Sequence, residues 1–287
     1  MSYPDDLRRA VDEYLETLHF SDLEDITGLD EAMRYSLLAG GKRIRPVLCL
    51  ATARSLGNDI ESCLGAAAAL EMVHTYSLVH DDLPAMDDDD LRRGMPTSHI
   101  QFGEAVAILA GDGLFAEAIR MLAAVEGEPA RVLEAVNLLA GATGAGGMVG
   151  GQYIDVTATD LDRDSLRRLH GLKTGRLIAV SVELALALGG VAEPDREPYR
   201  TFALELGILF QIVDDILDVT GTDVELGKPQ GSDERHGKVT YVSLYGLDEA
   251  RELAARSHSQ AIEALGRVNG ENGDLLGIAD YIYRREQ

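Results

Sequence analysis

The chain has no tryptophan, few other aromatic residues and a shortage of positive charge. Aromatic residues make up 5% of its 287 positions, and 26 lysines and arginines stand against 49 acidic residues, for a net charge of −23. Such a negative balance argues against nucleic acid and anionic membrane surfaces as partners. It leaves an anionic small substrate open, because local basic residues and metal ions reverse the field within one cleft.

Cysteine is also scarce, and the N-terminus does not look like a targeting segment. Cys49 and Cys63 lie in apolar surroundings, so we expect neither a disulfide framework nor a cysteine metal site. The first residues lack the basic and apolar regions of a signal peptide. The most apolar stretch, residues 177–192, is shorter than the about 20 residues that a membrane span needs and is interpreted as a buried core helix. These features predict a cytoplasmic protein without a membrane span.

Helical periodicity dominates the rest of the chain. Hydrophobic residues reach 46%, and no convincing alternating strand pattern occurs. Glycine and proline mark short loops rather than linkers, and no internal repeat is visible. We therefore predict one all-α domain over residues 1–287. The expected helices cover residues 4–20, 30–39, 45–56, 60–82, 101–125, 129–149, 164–188, 197–219, 239–268 and 272–284.

Two aspartate clusters border apolar helical stretches. The first begins with Asp81 and Asp82, and Asp87 follows shortly after Pro84. Proline disfavours continuation of the preceding helix, which should end near Asp82. Both carboxylates then lie at a helix C-terminus, where the macrodipole disfavours negative charge. Nothing local stabilises them there, which favours a bound cation.

The second cluster contains Asp214, Asp215 and Asp218 on a helix that is apolar almost all round. Asp214 and Asp218 are four residues apart and therefore share a helix face, and the helix should be buried. One such cluster alone is more often a solvated loop or a surface face. Two together, each beside core-like sequence, predict a site where hard divalent cations such as magnesium bridge a diphosphate.

Basic residues cluster at the edges of these motifs. Gly40 and Gly41 precede three bases, and such a turn lets backbone and arginine approach phosphate closely. Taken singly, each group also fits a helix junction or simple charge balance. The basic candidates are Lys42, Arg45, Arg92, Arg93, Lys173, Lys228 and Lys238. The glycine-rich residues 144–151 follow no strand, so we interpret them as close helix packing.

In order along the chain, these motifs resemble those of the trans-prenyl diphosphate synthases. The resemblance runs from about Gly40 to the C-terminus, and the first 30 residues add little to it. It rests on GGKRIRP from position 40, EMVHTYSLVHDDLPAMD from 71, GGQ from 150 with Asp155, KTG from 173, FQ at 210 before the second cluster, LGK from 226 and KVTY from 238.

The resemblance implies the isoprenoid synthase fold, a bundle of long helices around a deep central cavity. It implies head-to-tail condensation of isopentenyl diphosphate with allylic diphosphates (dimethylallyl, geranyl), three magnesium ions and a homodimer. The implied metal ligands are Asp81, Asp87 and Asp214, with Asp82, Asp215 and Asp218 nearby or water-mediated. The implied isopentenyl diphosphate site is Lys42, Arg45, His74 and Arg93. The implied allylic diphosphate donors are Arg92, Lys173, Lys228 and Lys238, and the residues implied at the reacting carbon are Thr174 and Gln211.

Product length depends on what blocks the cavity. Tyr76 lies five residues before Asp81, about 7.5 Å lower along a helix. A large aromatic there, with two residues inserted in the first motif, resembles bacterial farnesyl diphosphate synthases and predicts a C15 product. The small Ser77 allows a deeper floor, so a C20 product stays open. A noncatalytic subunit of a heteromeric synthase and a terpene cyclase are disfavoured, since all aspartates and both basic sets are present.

Overall fold

A computed structural model of the chain describes residues 3–158, 160–221, 238–268 and 270–284. Within these residues the fold is helical apart from one short hairpin, so the all-α prediction is confirmed. The helices are α1 (Asp5–Glu16), α2 (Thr27–Leu37), α3 (Ile44–Ser55), α4 (Leu64–Asp81), α5 (Ser98–Phe102), α6 (Glu104–Ala123), α7 (Pro129–Thr143), α8 (Met148–Thr157), α9 (Arg163–His170), α10 (Arg176–Leu188), α11 (Glu197–Thr220), α12 (Tyr241–Tyr245), α13 (Leu247–Leu265) and α14 (Gly273–Arg284).

Shorter elements join these helices. Three 3-10 turns cover Glu24–Ile26, Glu61–Cys63 and Glu193–Asp195, and a π-helical turn, Gly171–Gly175, connects α9 to α10. Strands β1 (Leu91–Arg92) and β2 (Met95–Pro96) pair antiparallel directly after the first aspartate cluster. The hairpin carries Arg92 and the π-helical turn carries Lys173, and both side chains line the cavity described below.

Helices α3, α4 and α10 form the centre of the bundle. Every residue of α3 except Arg54 is buried, and most of α10 is buried. Helix α10 packs against α3, α7 and α11, and α4 packs against α3 and α6. The core consists mainly of leucine, valine and alanine, whose burial supplies the main stabilising free energy in a chain with few aromatic residues. The interpretation of residues 177–188 as a core helix is confirmed.

Four predicted helices are interrupted at glycines. The predicted helix 101–125 breaks at Gly103, between α5 and α6. The predicted helix 129–149 stops at Thr143 and restarts at Met148, and the predicted helix 239–268 breaks at Gly246, which adopts a φ of 80°. The predicted helix 164–188 contains the π-helical turn. The hairpin was not predicted either, because strands of two residues carry no readable alternation.

The glycines at 144–151 do allow close packing of helices, as the sequence predicted. A Cβ atom on Gly151 would lie 2.3 Å from the backbone nitrogen of Lys173, so α8 can touch the π-helical turn only with glycine at this position. One stretch of the described residues, Pro129–Thr157, has the length and composition of a membrane span. In the fold this stretch is divided into α7 and α8, and α7 packs against α10.

Candidate active site

A cavity of about 700 Å³ lies between α4, α8, the π-helical turn and α11. Both aspartate clusters reach it, since Asp81, Asp87 and Asp214 all line its wall. The first cluster comes from the end of α4 and the turn beyond it, and the second comes from within α11. The structure therefore brings together three carboxylates that lie up to 133 positions apart, from Asp81 to Asp214, in the sequence.

Helix α4 ends at Asp81, as the proline predicted. The chain turns at Pro84, and the backbone nitrogen of Asp87 then donates to the carbonyl oxygen of Asp81 at 2.9 Å. This turn returns the Asp87 carboxylate to the cavity that Asp81 lines. Burial raises the pKa of Asp81 from 3.8 to about 6, against the opposing effect of Lys173. A carboxylate destabilised by burial gains from a nearby cation.

Asp82 serves a different purpose from its neighbour. Its side chain is 5% exposed and does not line the main cavity. The Nε atom of Arg92 donates to Asp82 Oδ1 at 2.7 Å, and Arg92 also forms an ion pair with Asp89 at 3.3 Å. Arg92 itself lines the cavity. Asp82 therefore holds Arg92 at the site, and a direct metal role for Asp82 stays a prediction.

Two lysines sit among the cavity carboxylates. Lys173 Nζ donates to Asp155 Oδ2 at 2.5 Å, and Lys238 Nζ donates to Asp87 Oδ1 at 3.1 Å. Lys238 also lies 4.0 Å from Asp155. Asp155 thus stands between the two lysines and keeps both ammonium groups at the same end of the cavity. The sequence pointed to Asp155 only through the resemblance and gave it no role.

The second cluster divides its residues in a similar way. Asp214 and Asp215 both border the cavity, but Asp215 is only 2% exposed, and Asp218, at 3% exposed, does not line it. Asp215 Oδ1 accepts from Gln211 Nε2 at 2.8 Å, and Oδ2 accepts from the backbone nitrogen of Tyr241 at 2.7 Å. The hydroxyl of Thr174 donates to Gln211 Oε1 at 2.9 Å. The predicted pair at the reacting carbon, Thr174 and Gln211, is therefore in direct contact and lines the cavity.

A second group of basic residues lines another part of the wall. Arg45, His74 and Arg93 all border the cavity. Burial lowers the pKa of Arg45 to about 10, so the guanidinium stays charged near neutrality. Its buried Nε atom has no hydrogen-bond partner among the described residues, and an anionic ligand would supply one. Burial, together with the charge of Arg45 and Arg93, holds the pKa of His74 well below its usual range.

Two other predicted donors are not found in this wall. Lys42 does not line the cavity, and its carbonyl oxygen accepts from the hydroxyl of Tyr3 at 2.6 Å. Lys228 lies outside the described residues. The assignment of either lysine to a diphosphate stays a prediction.

The glycine turn before α3 contacts an arginine rather than open space. Arg93 donates to the carbonyl oxygen of Gly40, and a Cβ atom on Gly41 would lie 2.7 Å from the Arg93 guanidinium carbon. Arg43, between the predicted donors, points into the core, where it donates to Glu71 at 2.6 Å and to Asp12 at 2.9 Å. Gly41 therefore makes room for Arg93, and Arg43 is structural.

The apolar end of the cavity begins one turn below Asp81. Tyr76 and Ser77 both line it. The Tyr76 ring packs against Phe115 at 5.4 Å and against His80 at 5.6 Å between centroids. Ser77, four residues before Asp81, is the residue on the same face of α4 as that carboxylate. The wall beneath the aspartate is therefore small at Ser77 and aromatic to one side at Tyr76.

The residues present fit magnesium, which prefers oxygen ligands. The cavity-lining groups of the two clusters are carboxylates, and burial opposes the negative charge of Asp81. No three acidic, histidine or cysteine side chains among residues 3–158, 160–221, 238–268 and 270–284 form a preformed metal cage. Oxygens of a bound diphosphate would therefore have to complete the coordination, as is usual for magnesium sites with few protein ligands.

Two polar residues that line the cavity had no role predicted from the sequence, although Gln152 belongs to the GGQ motif of the resemblance. Both amide atoms of Gln152 and the Nε2 atom of His170 are buried without a hydrogen-bond partner in the described part of the chain. The sequence signal for each residue is its spacing from a charged residue of the site. Gln152 lies three residues before Asp155 on α8, and His170 lies three residues before Lys173, so both share faces with charged groups of the site.

A helical bundle whose cavity gathers two aspartate clusters and two basic sets has the architecture of the trans-prenyltransferases. The polyprenyl synthetase family model matches residues 26–274, and the chain belongs to the polyprenyl synthetase family. It is a prenyl diphosphate synthase.

Relatives of known sequence are similar over most of the chain. The heterodimeric geranylgeranyl pyrophosphate synthase large subunit 1 of Arabidopsis thaliana is 46% identical over 268 residues, which cover 90% of this chain and 72% of the relative. The geranylgeranyl pyrophosphate synthase of Capsicum annuum is 46% identical over 264 residues, with coverages of 90% and 72%. Both are chloroplastic proteins by name.

Solved structures are similar over nearly the whole fold. An FPP/GFPP synthase from Zymomonas mobilis, in its apo form, has a TM-score of 0.87 and 38% identity, covering 97% of this chain and 96% of that one. A geranyltransferase from Helicobacter pylori, complexed with magnesium and isoprenyl diphosphate, has a TM-score of 0.87 and 30% identity, with coverages of 99% and 98%.

Proposed function

We propose that this chain condenses isopentenyl diphosphate head to tail with allylic diphosphates and releases geranylgeranyl diphosphate (C20). One observation carries the proposal: Asp81, Asp87 and Asp214 meet two separate basic sets in a single cavity. Two diphosphates need two sets of cationic donors. Arg92 and Lys238 of the first set donate to aspartates of the first cluster, and Arg45 of the second set has a buried Nε atom without a described partner. The complex of the Helicobacter pylori neighbour with magnesium and isoprenyl diphosphate supports the same ligands here.

The set beside the aspartates suits the allylic diphosphate, which must leave. We assign Arg92, Lys173 and Lys238 to its oxygens, with three magnesium ions held by Asp81, Asp87 and Asp214. Magnesium bound there supplies positive charge that stabilises the departing diphosphate. Lys173 and Lys238 are already held at this end by Asp155 and Asp87, so little reorganisation precedes their donation to the substrate.

The second set suits the diphosphate that stays on its substrate. Arg45 and Arg93 provide charged donors, and the neutral His74 between them adds a donor or acceptor without further repulsion. This set places the double bond of isopentenyl diphosphate toward Thr174 and Gln211. Their oxygens stabilise the allylic cation by electrostatic attraction. The released diphosphate is well placed to accept the proton that leaves the product.

The C20 product is supported by the relatives and by Ser77. The Arabidopsis and Capsicum relatives are named geranylgeranyl pyrophosphate synthases. The small side chain on the face of α4 below Asp81 is Ser77, which leaves space for a growing hydrocarbon. A second candidate product is farnesyl diphosphate (C15), which the sequence predicted. Its support is the ring of Tyr76, which lines the same wall and is braced by Phe115.

Product analysis separates these candidates. Purified chain, magnesium, dimethylallyl diphosphate and isopentenyl diphosphate should yield a C20 prenyl alcohol after phosphatase treatment, and omission of magnesium should remove it. A C15 endpoint that lengthens in Tyr76→Ala would select the second candidate. Absence of any elongated product from the purified chain alone would contradict both and would favour a noncatalytic subunit of a heteromeric synthase.

We also propose that the chain is a homodimer. Helix α6 exposes Ile108 and Leu109, which are 43% and 55% accessible, and α8 exposes Tyr153 at 69%. Large apolar side chains that solvent reaches to this extent favour a protein partner. Light scattering at micromolar concentration should give twice the chain mass of 30.9 kDa. A monomer mass that persists in active protein would contradict this assembly.

A further inference from the structure

We propose that Asp215 fixes the direction of a hydrogen-bond chain that ends at Thr174, so that it acts as a positioning residue rather than as a metal ligand. The inference rests on the proposed function, because it concerns the positive charge that forms on the allylic carbon. The chain of contacts runs from the backbone of Tyr241 through Asp215 and Gln211 to Thr174.

Both oxygens of Asp215 are engaged by donors. Gln211 Nε2 lies 2.8 Å from Oδ1, and the backbone nitrogen of Tyr241 lies 2.7 Å from Oδ2. Neither partner group can accept a proton from a carboxylic acid, so the contacts fit an ionised carboxylate that only accepts. A metal ion would have to displace or share these charge-assisted bonds.

An acceptor-only carboxylate also determines how the Gln211 amide is oriented. The amide must present its NH₂ group to Asp215, which turns Oε1 toward Thr174. The Thr174 hydroxyl then donates to Oε1 at 2.9 Å. Since that proton is held by Gln211, the Thr174 oxygen offers only lone pairs to the substrate in the cavity that it lines. Lone pairs stabilise a developing cation, whereas an O–H group turned the other way would oppose it.

The same carboxylate fixes a second part of the site. Tyr241 is the first residue of α12, and Thr240 caps this helix by accepting from the backbone of Ser243 at 3.1 Å. Lys238 lies three residues before Tyr241 and reaches Asp87. Asp215 therefore anchors the segment that carries Lys238 as well as the amide that orients Thr174.

The variant Asp215→Asn tests the direction of the chain. An asparagine that keeps its oxygen on the Tyr241 nitrogen must offer NH₂ to Gln211, whose amide then turns over. Thr174 must accept from that amide, and its own proton turns into the cavity. At saturating magnesium we expect the single-turnover rate to fall about 100-fold. Magnesium-dependent binding of inorganic pyrophosphate, measured by calorimetry, should change by less than about twofold.

Asp214→Asn is the matched control, since it removes one carboxylate from the adjacent, cavity-lining position. It should weaken magnesium-dependent pyrophosphate binding by more than about tenfold. Equal weakening of this binding by Asp215→Asn would overturn the proposal, because it would place Asp215 among the metal ligands.

A charge exchange gives the sharper test. In the double variant Asp215→Asn/Gln211→Glu, the new carboxylate at position 211 accepts from the asparagine and from Thr174. The net charge and the direction of the Thr174 hydroxyl are then as in the native chain. We expect the double variant to react at least about tenfold faster than Asp215→Asn. A metal-ligand role predicts no recovery, since the charge at position 215 is still missing.

The double variant also decides the case in which Asp215→Asn does not fold. A double variant that folds, judged by a native thermal transition, and reacts supports the proposal; one that unfolds or does not recover overturns it. Native protein that makes no prenyl diphosphate would instead refute the proposed function, so the two failures are distinguishable.

Discussion

The two aspartate pairs, Asp81-Asp82 and Asp214-Asp215, have the same composition and opposite surroundings. Asp81-Asp82 ends a helix and is surrounded by arginine and lysine, with Asp82 bonded to the Arg92 guanidinium at 2.7 Å. Asp214-Asp215 lies inside α11, where Asp215 accepts only from an amide and a backbone nitrogen among its described hydrogen bonds. The first pair lies next to full positive charges, and the two described hydrogen bonds to Asp215 come from neutral dipoles.

The two aspartates of each pair have different roles, and the roles are divided in the same way in both pairs. In each pair the first aspartate lines the cavity and the second is more deeply buried, although Asp215, unlike Asp82, still borders the cavity. Asp82 fixes a cationic donor for the leaving diphosphate, and Asp215 fixes the oxygens that face the cation. A doubled aspartate therefore combines one residue that meets ligand with one that supports a neighbour. Mutation of the first aspartate should impair ligand contact, and mutation of the second should disturb the neighbouring side chain that it holds.

The largest expected effect concerns Asp81, the ligand-facing member of the first pair. Asp81→Asn should lower kcat/KM about 1,000-fold, roughly 4 kcal/mol of transition-state stabilisation, through loss of a magnesium ligand. Stability should not fall, because burial already penalises this carboxylate. Steady-state kinetics at saturating magnesium and a thermal melt test both statements. A kcat/KM within tenfold of the native value would contradict the metal-ligand role of Asp81.

Asp82, the supporting member, should act on stability first. Asp82→Asn removes the charged partner that holds the Arg92 guanidinium, which then keeps only Asp89, and should cost about 2 to 3 kcal/mol of unfolding free energy. Urea denaturation gives this value. The control is Asp88→Asn, at an exposed position whose left-handed φ of 53° asparagine tolerates, with an expected change below about 0.5 kcal/mol. Equal stability of the two variants would contradict the assignment.

A smaller effect concerns His170, which lies next to the residue whose backbone nitrogen donates to Asp215. His170 stacks on Tyr241, and burial lowers the pKa of His170 from 6.5 to about 4. The unfolded chain therefore binds more protons between these pH values, and this group's contribution to stability, present above pH 6.5, is lost as pH falls toward 4.

The expected loss from His170 is roughly 2 kcal/mol over this range, after discounting for its partial exposure. Urea denaturation at several pH values measures it, and His170→Gln should flatten the dependence between pH 6.5 and 4. An unchanged slope in that variant would show that other groups cause the loss.

The sequence predicted the helices and the convergence of the clusters well, because apolar periodicity and Pro84 act locally. Only the resemblance separated Asp214 from Asp215; the residue pattern could not, since the distinguishing contact is a backbone nitrogen 26 positions later. It also could not tell that Arg43 points into the core while Arg45 faces the cavity. Such orientation depends on tertiary partners such as Glu71, which sequence spacing does not reveal.

The most direct test of the central claim is a crystal structure with manganese and inorganic pyrophosphate, using anomalous scattering to place each metal ion. We expect ions that contact Asp81 and Asp87 on one side of the pyrophosphate and Asp214 on the other. Asp82 and Asp215 should keep their hydrogen bonds to Arg92 and Gln211. Ions confined to the first cluster, or bound directly to Asp215, would contradict this expectation.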